Sequence, residues 1–263
     1  MNAFEEDSVF RPSGEDCKTG ALCPECAVYP LRQAAGCDPG SACVRTTYAR
    51  HIDRFFRNNP FLALRFWQDE YFEVRAIVTR YLPAGVLRRM MRDADETVRM
   101  NVALFLPAGD LVRMMEDRDR EVRIRVAGRL PESLLPRMAQ DPDYGVRLQV
   151  ARRLAPSALF CLVDDADPQV RQVVARRIVD PHQRIFQRDP DPLVRLAVLE
   201  RDDEEACLWG VLDPDLRVRF YLAEHAHGEA LCRLTRDPDP YLRQVARKRW
   251  EEESSSGARR RAS

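Results

Sequence analysis

The phrase Asp-Pro-Asp-Pro-x-Val-Arg returns along this chain with a period of 24 residues. Its plainest copies start at Asp141, Asp189, Asp213 and Asp237. The same period places further copies at Asp69, Asp93, Asp117 and Asp165, without insertion or deletion. Position 6 of the frame is Val74, Val98, Val122, Val146, Val170, Val194 and Val218, then Leu242. Position 7 is Arg in every copy: Arg75, Arg99, Arg123, Arg147, Arg171, Arg195, Arg219 and Arg243. A fixed period of this length marks a solenoid, in which each unit covers the apolar face of the next.

Each unit reads as two helical segments. Asp at positions 1 and 3, often with Pro beside it, starts a helix by accepting from exposed N–H groups. Apolar residues follow at positions 6, 10, 11 and 14, as in Val146, Val150, Ala151 and Leu154, a helical spacing. Small Ala at position 11 (Ala103, Ala127, Ala151, Ala175, Ala223) allows close approach of the neighbouring unit. Pro83, Pro107, Pro131 and Pro156 end the first helix and preform the second. The second segment is short, with apolar residues at positions 19 and 22, such as Leu111 with Met114. Its length fits two α-turns or a 3₁₀ helix.

Two basic sets need an account. Arg at position 7 lies beside the buried stripe, where it can reach carbonyls or the Asp side chains of the next unit and form a ladder between repeats. The alternative is a basic track for phosphate or an acidic peptide. The second set lies at positions 12 and 13: Arg129, Arg152, Arg153, Arg176, Arg177, Arg201, Lys248 and Arg249. There it complements the dipole at the helix end, or else forms a stripe for an anionic partner such as nucleic acid. No aromatics are interleaved with it, and Lys+Arg equals Asp+Glu, 42 against 42. Net charge therefore makes no case for nucleic acid or a membrane. No apolar run approaches a membrane span and no secretory signal opens the chain, so a cytoplasmic location is expected.

Five of the eight cysteines lie within the first 44 residues: Cys17, Cys23, Cys26, Cys37 and Cys43. In a reducing compartment such a group reads as a metal site before it reads as disulfides. Cys23-Pro24-Glu25-Cys26 is a tight hook for two thiolates. The Pro39-Gly40 pair bends the chain so that Cys37 and Cys43 can converge as well. Four thiolates suit tetrahedral zinc or an iron–sulfur cube. The wider second pair spans a larger object better than a single ion, yet does not match the common ferredoxin run. Iron–sulfur, zinc, disulfides and free thiols all stay open on spacing alone. Cys161, Cys207 and Cys232 are scattered in the repeats and are expected to be buried, inert thiols.

Between the cysteines and the repeats, Tyr48, Ile52, Phe55 and Phe56 recur at helical spacing, which predicts an amphipathic helix over 46–58. Asn59-Pro60 stops it, and Asn59 is expected to cap a second helix containing Phe61, Leu62, Leu64, Phe66 and Trp67. Residues 45–68 thus form a degenerate capping repeat, its aromatics in the core in preference to a binding patch.

The run Cys-Pro-x-Cys, then Gly36-Cys37-x-Pro39-Gly40-x-x-Cys43-Val44, then Arg50 and Ile52 to Arg57 followed by Asn59-Pro60, resembles the leucine-rich repeat variant family with an N-terminal 4Fe–4S cluster. The repeats fit that family too. The resemblance implies an all-α, right-handed helical superhelix in which α and 3₁₀ layers alternate. It implies a 4Fe–4S cluster in place of the zinc alternative, and an association with nitrogen fixation. By the same match the ligands are Cys23, Cys26, Cys37 and Cys43, with Cys17 as substitute ligand.

The expected organisation is a cluster domain over 1–44, the capping repeat over 45–68, the array over 69–250 and a solvated, flexible tail over 251–263. The repeat starting at Asp189 carries an acidic break, Asp202-Asp203-Glu204-Glu205. His225-x-His227 lacks supporting carboxylates and is given no role. No nucleophile triad, phosphate loop or dinucleotide fingerprint is present. The expectation is a non-enzymatic scaffold whose surface engages a protein partner. The alternatives are a cluster-based electron carrier and a redox- or iron-responsive nucleic-acid binder.

Overall fold

The computed structural model describes residues 23–179, 182–201 and 204–261. Cys17, Asp202 and Asp203 lie outside the described residues. The chain forms two compact units that meet in sequence between Pro131 and Glu132, inside a repeat. Among the described residues the structure is helical, with no strand beyond an isolated bridge between Asp38 and Ala42. No helix among them is long and apolar enough to cross a membrane.

In the first unit the chain enters through the short helix Pro30–Gln33 and then the helix Ala49–Asn58. Ile52, Phe55 and Phe56 are buried, and the two Phe rings meet Phe66 edge to face. Tyr48, Phe61 and Leu64 are exposed, so only part of the expected aromatic core is core. The reason is geometric. Pro60–Leu62 and Ala63–Phe66 are a 3₁₀ turn and a single α-turn, too short to turn every apolar side chain inward. Repeat helices follow at Phe72–Val78, Glu96–Phe105 and Arg120–Ala127. In the second unit they lie at Tyr144–Arg153, Pro168–Arg177, Pro192–Leu199, Leu216–His225 and Pro240–Arg261. The last of these continues to Arg261 through most of the segment expected as a tail.

The Asp residues at positions 1 and 3 do different work. Position 3 is the N-cap: Asp95, Asp143, Asp167, Asp191 and Asp215 each accept from the N–H two residues on. Position 1 joins repeats. Arg171 donates Nε and Nη2 to the two carboxylate oxygens of Asp189 at 2.8 and 2.9 Å, and Nη1 to the Asp165 carbonyl at 2.8 Å. Asp189 also accepts from the Asp191 N–H at 2.9 Å. The same joint recurs at Arg75–Asp93 and Arg99–Asp117 in the first unit, and at Arg147–Asp165, Arg195–Asp213 and Arg219–Asp237 in the second. The ladder reading of position 7 therefore holds, with position 1 as the acceptor.

Position 13 also acts between repeats. Arg129 donates to the carbonyls of Ala103 and Leu106 at 2.6 and 2.9 Å. Arg177 does so to Ala151 and Leu154, and Arg249 to Ala223 and Ala226. These carbonyls end the preceding repeat's first helix and lack partners in their own helix, so the arginine serves as their cap.

The second segments are 3₁₀ at Ala108–Met114, Glu132–Met138, Pro156–Leu162 and His182–Arg188. They are α-helical at Ala84–Met90, Glu204–Gly210 and Gly228–Leu234. The last two lack a starting proline and carry Glu and Ala, strong helix formers. Cys207 is buried at position 19 as expected, but Cys161 is exposed and Cys232 only partly covered, because each lies off the inward positions of its segment.

One repeat shows matched changes in volume. Position 11 there is Leu199 in place of Ala, and position 22 is Gly210 in place of the usual Met or Leu. A Cβ on Gly210 would lie 2.8 Å from Leu222 Cδ1 and 3.0 Å from both Leu199 methyls. The enlarged leucines fill the space that a position-22 side chain occupies elsewhere.

Two outcomes follow. Asp213→Ala leaves the buried Arg195 guanidinium without its carboxylate and costs about 3–5 kcal/mol, read as a lower urea midpoint. Gly210→Ala costs about 1–3 kcal/mol through overpacking, and the loss shrinks when Leu199→Ala is added. Additive losses in that double-mutant cycle would refute the volume exchange.

Candidate metal centre

The cysteine segment folds through turns, each fixed by backbone hydrogen bonds. Cys23–Glu25 is a 3₁₀ turn, and the Cys26 N–H donates to the Cys23 carbonyl at 3.0 Å. That places two thiols on one side of a tight loop. The helix Pro30–Gln33 then ends with Ala35 in the left-handed region, at φ 56°. The Gly36 N–H donates to the Leu31 carbonyl at 2.8 Å and closes a Schellman motif. This reversal sends the chain back toward the hook just before Cys37.

Gly36 is needed for a second reason. The Asn59 amide donates to the Gly36 carbonyl at 2.6 Å and to the Phe55 carbonyl at 2.9 Å. A Cβ at residue 36 would stand 2.8 Å from Asn59 Oδ1. Asn59 therefore does not cap the following helix as expected, and the turn Pro60–Leu62 has no side-chain cap. Its amide is used instead to fasten the cysteine loop to the helix Ala49–Asn58.

The loop from Cys37 to Cys43 is pinned by Asp38. Its backbone exchanges hydrogen bonds with Ala42 at 2.9 and 2.7 Å. Its carboxylate accepts from the Ser41 hydroxyl and the Gly40 N–H, which hold it below the usual carboxylate range. The Cys43 N–H then donates to the His51 carbonyl at 3.2 Å.

Of the four expected ligands, Cys37 and Cys43 are hydrogen-bonded to one another, and Cys26 and Cys23 lie near enough to act on Cys37. Cys37 and Cys43 are buried, Cys23 and Cys26 partly so. The Cys37 thiol is pushed up by its hydrogen bond with Cys43, by burial, and by the nearness of Cys43, Cys26 and Cys23. Burial likewise pushes Cys26 up, against the Val28 N–H and the Arg45 charge. Thiolates crowded in this way are costly without a cation among them, and a bound metal core reverses that cost. The donor set thus fits a thiolate-bound metal centre. Among the described residues no three His, Cys, Asp or Glu side chains close to single-ion distances. Asn59, Arg45 and His51 border the centre without any spacing rule pointing to them, since each is brought there by the turn of the chain.

A family model described as LRV protein FeS4 cluster matches residues 19–65. A protein of Rhodobacter capsulatus, described as an uncharacterized 27.7 kDa protein in the nifB 3′ region, is 41% identical over 76 residues. That match spans 29% of this chain and only 31% of the relative. A solved structure described as a leucine-rich repeat variant with a novel repetitive protein structural motif is 44% identical, with a TM-score of 0.79. The match covers 85% of this chain and 96% of that one. The cysteine segment is accordingly a 4Fe–4S cluster domain, which sets zinc aside. With its 24-residue repeats and the FeS4 segment ahead of them, the chain belongs to the leucine-rich repeat variant family.

Proposed function

We propose that Cys23, Cys26, Cys37 and Cys43 ligate the cluster, and that the protein is a non-enzymatic scaffold holding a protein partner on its repeat surface. The ligand set is supported by the convergence of these four thiols. The matched stretch, residues 19–65, also contains all four and starts after Cys17. When bound, the cluster supplies one-electron redox capacity and a clamp on four points of the chain. The chain's own residues orient the loops: Asn59 fastens Gly36, and Asp38 fixes the turn between Cys37 and Cys43.

The observation that carries the scaffold reading is where the shared chemistry goes. The arginines at positions 7 and 13 and the Asp residues at positions 1 and 3 are engaged within and between repeats. Some of the side chains that the repeats do not share face solvent, among them the apolar Leu193, Leu216 and Tyr241 of the second unit. Side chains that vary between otherwise equivalent positions are suited to recognising one partner. The relative in the nifB 3′ region supports a partner from nitrogen fixation.

A second reading, electron carrier, is favoured by the partial exposure of Cys23 and Cys26, which leaves one edge of the centre near solvent. Nucleic-acid binding is left with the exposed position-12 residues Arg152 and Lys248, since Arg176 is paired with Glu200 and position-13 arginines are taken up by carbonyls.

Protein purified without oxygen is expected to hold roughly four iron atoms per chain. Serine at Cys23, Cys26, Cys37 or Cys43 should lower that content sharply, and Cys17→Ser should not. Capture from nitrogen-fixing cells, with cluster-loaded and cluster-free forms compared, should retain the same partner protein on both. A partner lost on reduction of the cluster would favour the carrier. Binding that falls steeply with salt and needs Arg152 and Lys248 would favour nucleic acid.

A further inference from the structure

His51 lies beside the cysteine loop in the first turn of the helix Ala49–Asn58. Its carbonyl accepts from the Cys43 N–H at 3.2 Å, which places the residue against the Cys37–Cys43 loop. The ring stacks on Tyr48, with centroids 5.5 Å apart. Its Nδ1 is sealed from solvent and has no hydrogen-bond partner among the described residues. Buried polar atoms are normally paired, so an orphan next to a cofactor domain marks a bond completed from outside the polypeptide.

We propose that His51 donates an N–H bond from Nδ1 to the sulfur shell of the cluster and so sets its reduction potential. The inference rests on the reading that the four cysteines hold the cluster. Sulfur in that shell is electron-rich and accepts hydrogen bonds, and an imidazole N–H is a donor suited to it. A donor aimed at the cluster stabilises added negative charge, so it favours the reduced state. Tyr48 holds the ring plane by stacking, and the helix start fixes its backbone. His51 acts through the ligand shell and is a positioning residue, not a ligand.

The test compares three anaerobic holoproteins: the unmodified chain, His51→Asn, which keeps an N–H near the Nδ1 position, and His51→Leu, which has none. Iron and sulfide content should be equal in all three. A low content in the unmodified chain would count against the cysteine reading instead, so the two failures are distinguishable. His51→Leu should show a lower midpoint potential and the loss of one exchangeable-deuteron coupling at the reduced cluster. His51→Asn should stay close to the unmodified chain in both. Equal potentials and unchanged couplings across the three overturn the proposal. If His51→Leu does not load, the unmodified chain labelled with ¹⁵N-histidine decides: a histidine nitrogen coupling at the reduced cluster supports the bond, and its absence overturns it.

Discussion

The repeat joints described within each unit depend on a planar guanidinium that meets three acceptors at once. Arg at position 7 grips both oxygens of the next repeat's first Asp, and its remaining nitrogen takes a carbonyl at the start of its own repeat. That Asp also folds its own turn by accepting from the residue at position 3. The start of one helix is therefore coupled to the end of the previous joint. Lys could not replace this, since a point charge lacks the fork that fixes distance and angle together. Buried ion pairs are weak as sources of net stability, but a missing partner is severely punished. Within each unit the joint fixes the distance and angle between neighbouring repeats at that point. Position 13 adds a second tie by closing the carbonyl end of the preceding helix.

The cluster domain obeys a different rule. It is short of apolar residues, and its backbone turns through the Schellman reversal at Ala35 and the pinned loop at Asp38. Such a segment gathers four thiols whose protonation state and crowding invite a metal core. The tie from Asn59 to Gly36 links this domain to the first helix of the helical part.

Much of the fold was legible because the repeat is exact. Val at position 6 and Arg at position 7 needed only a count to find, and both proved to be packing and joint residues. The thiol-rich segment was legible as a metal site from its cysteine density and the Cys23–Cys26 hook, whereas the choice of Cys23, Cys26, Cys37 and Cys43 came from the family resemblance. Less legible were residues whose partners are remote in sequence. Asn59 looked like a helix cap, since Asn before Pro commonly is one, yet a carbonyl 23 residues earlier competes better for its amide. Cys161 looked like a core thiol from its neighbours, yet its position in a 3₁₀ turn directs it outward. His51 carried no local signal, because its significance lies in an atom sealed beside another loop.

Sequence by itself determined the repeat length, the helical class, the Asp-started helices and the thiol-rich segment. These follow from local rules of periodicity, capping and spacing that act within a few residues. Only the tertiary structure decided which Asp receives each arginine, which carbonyls position 13 caps, and where the 3₁₀ layers give way to α. It also decided that Leu199 and Gly210 exchange volume, with Leu222 of the next repeat as their common neighbour. Those outcomes depend on how closely neighbouring layers approach, and that distance is set by the packed side chains of both.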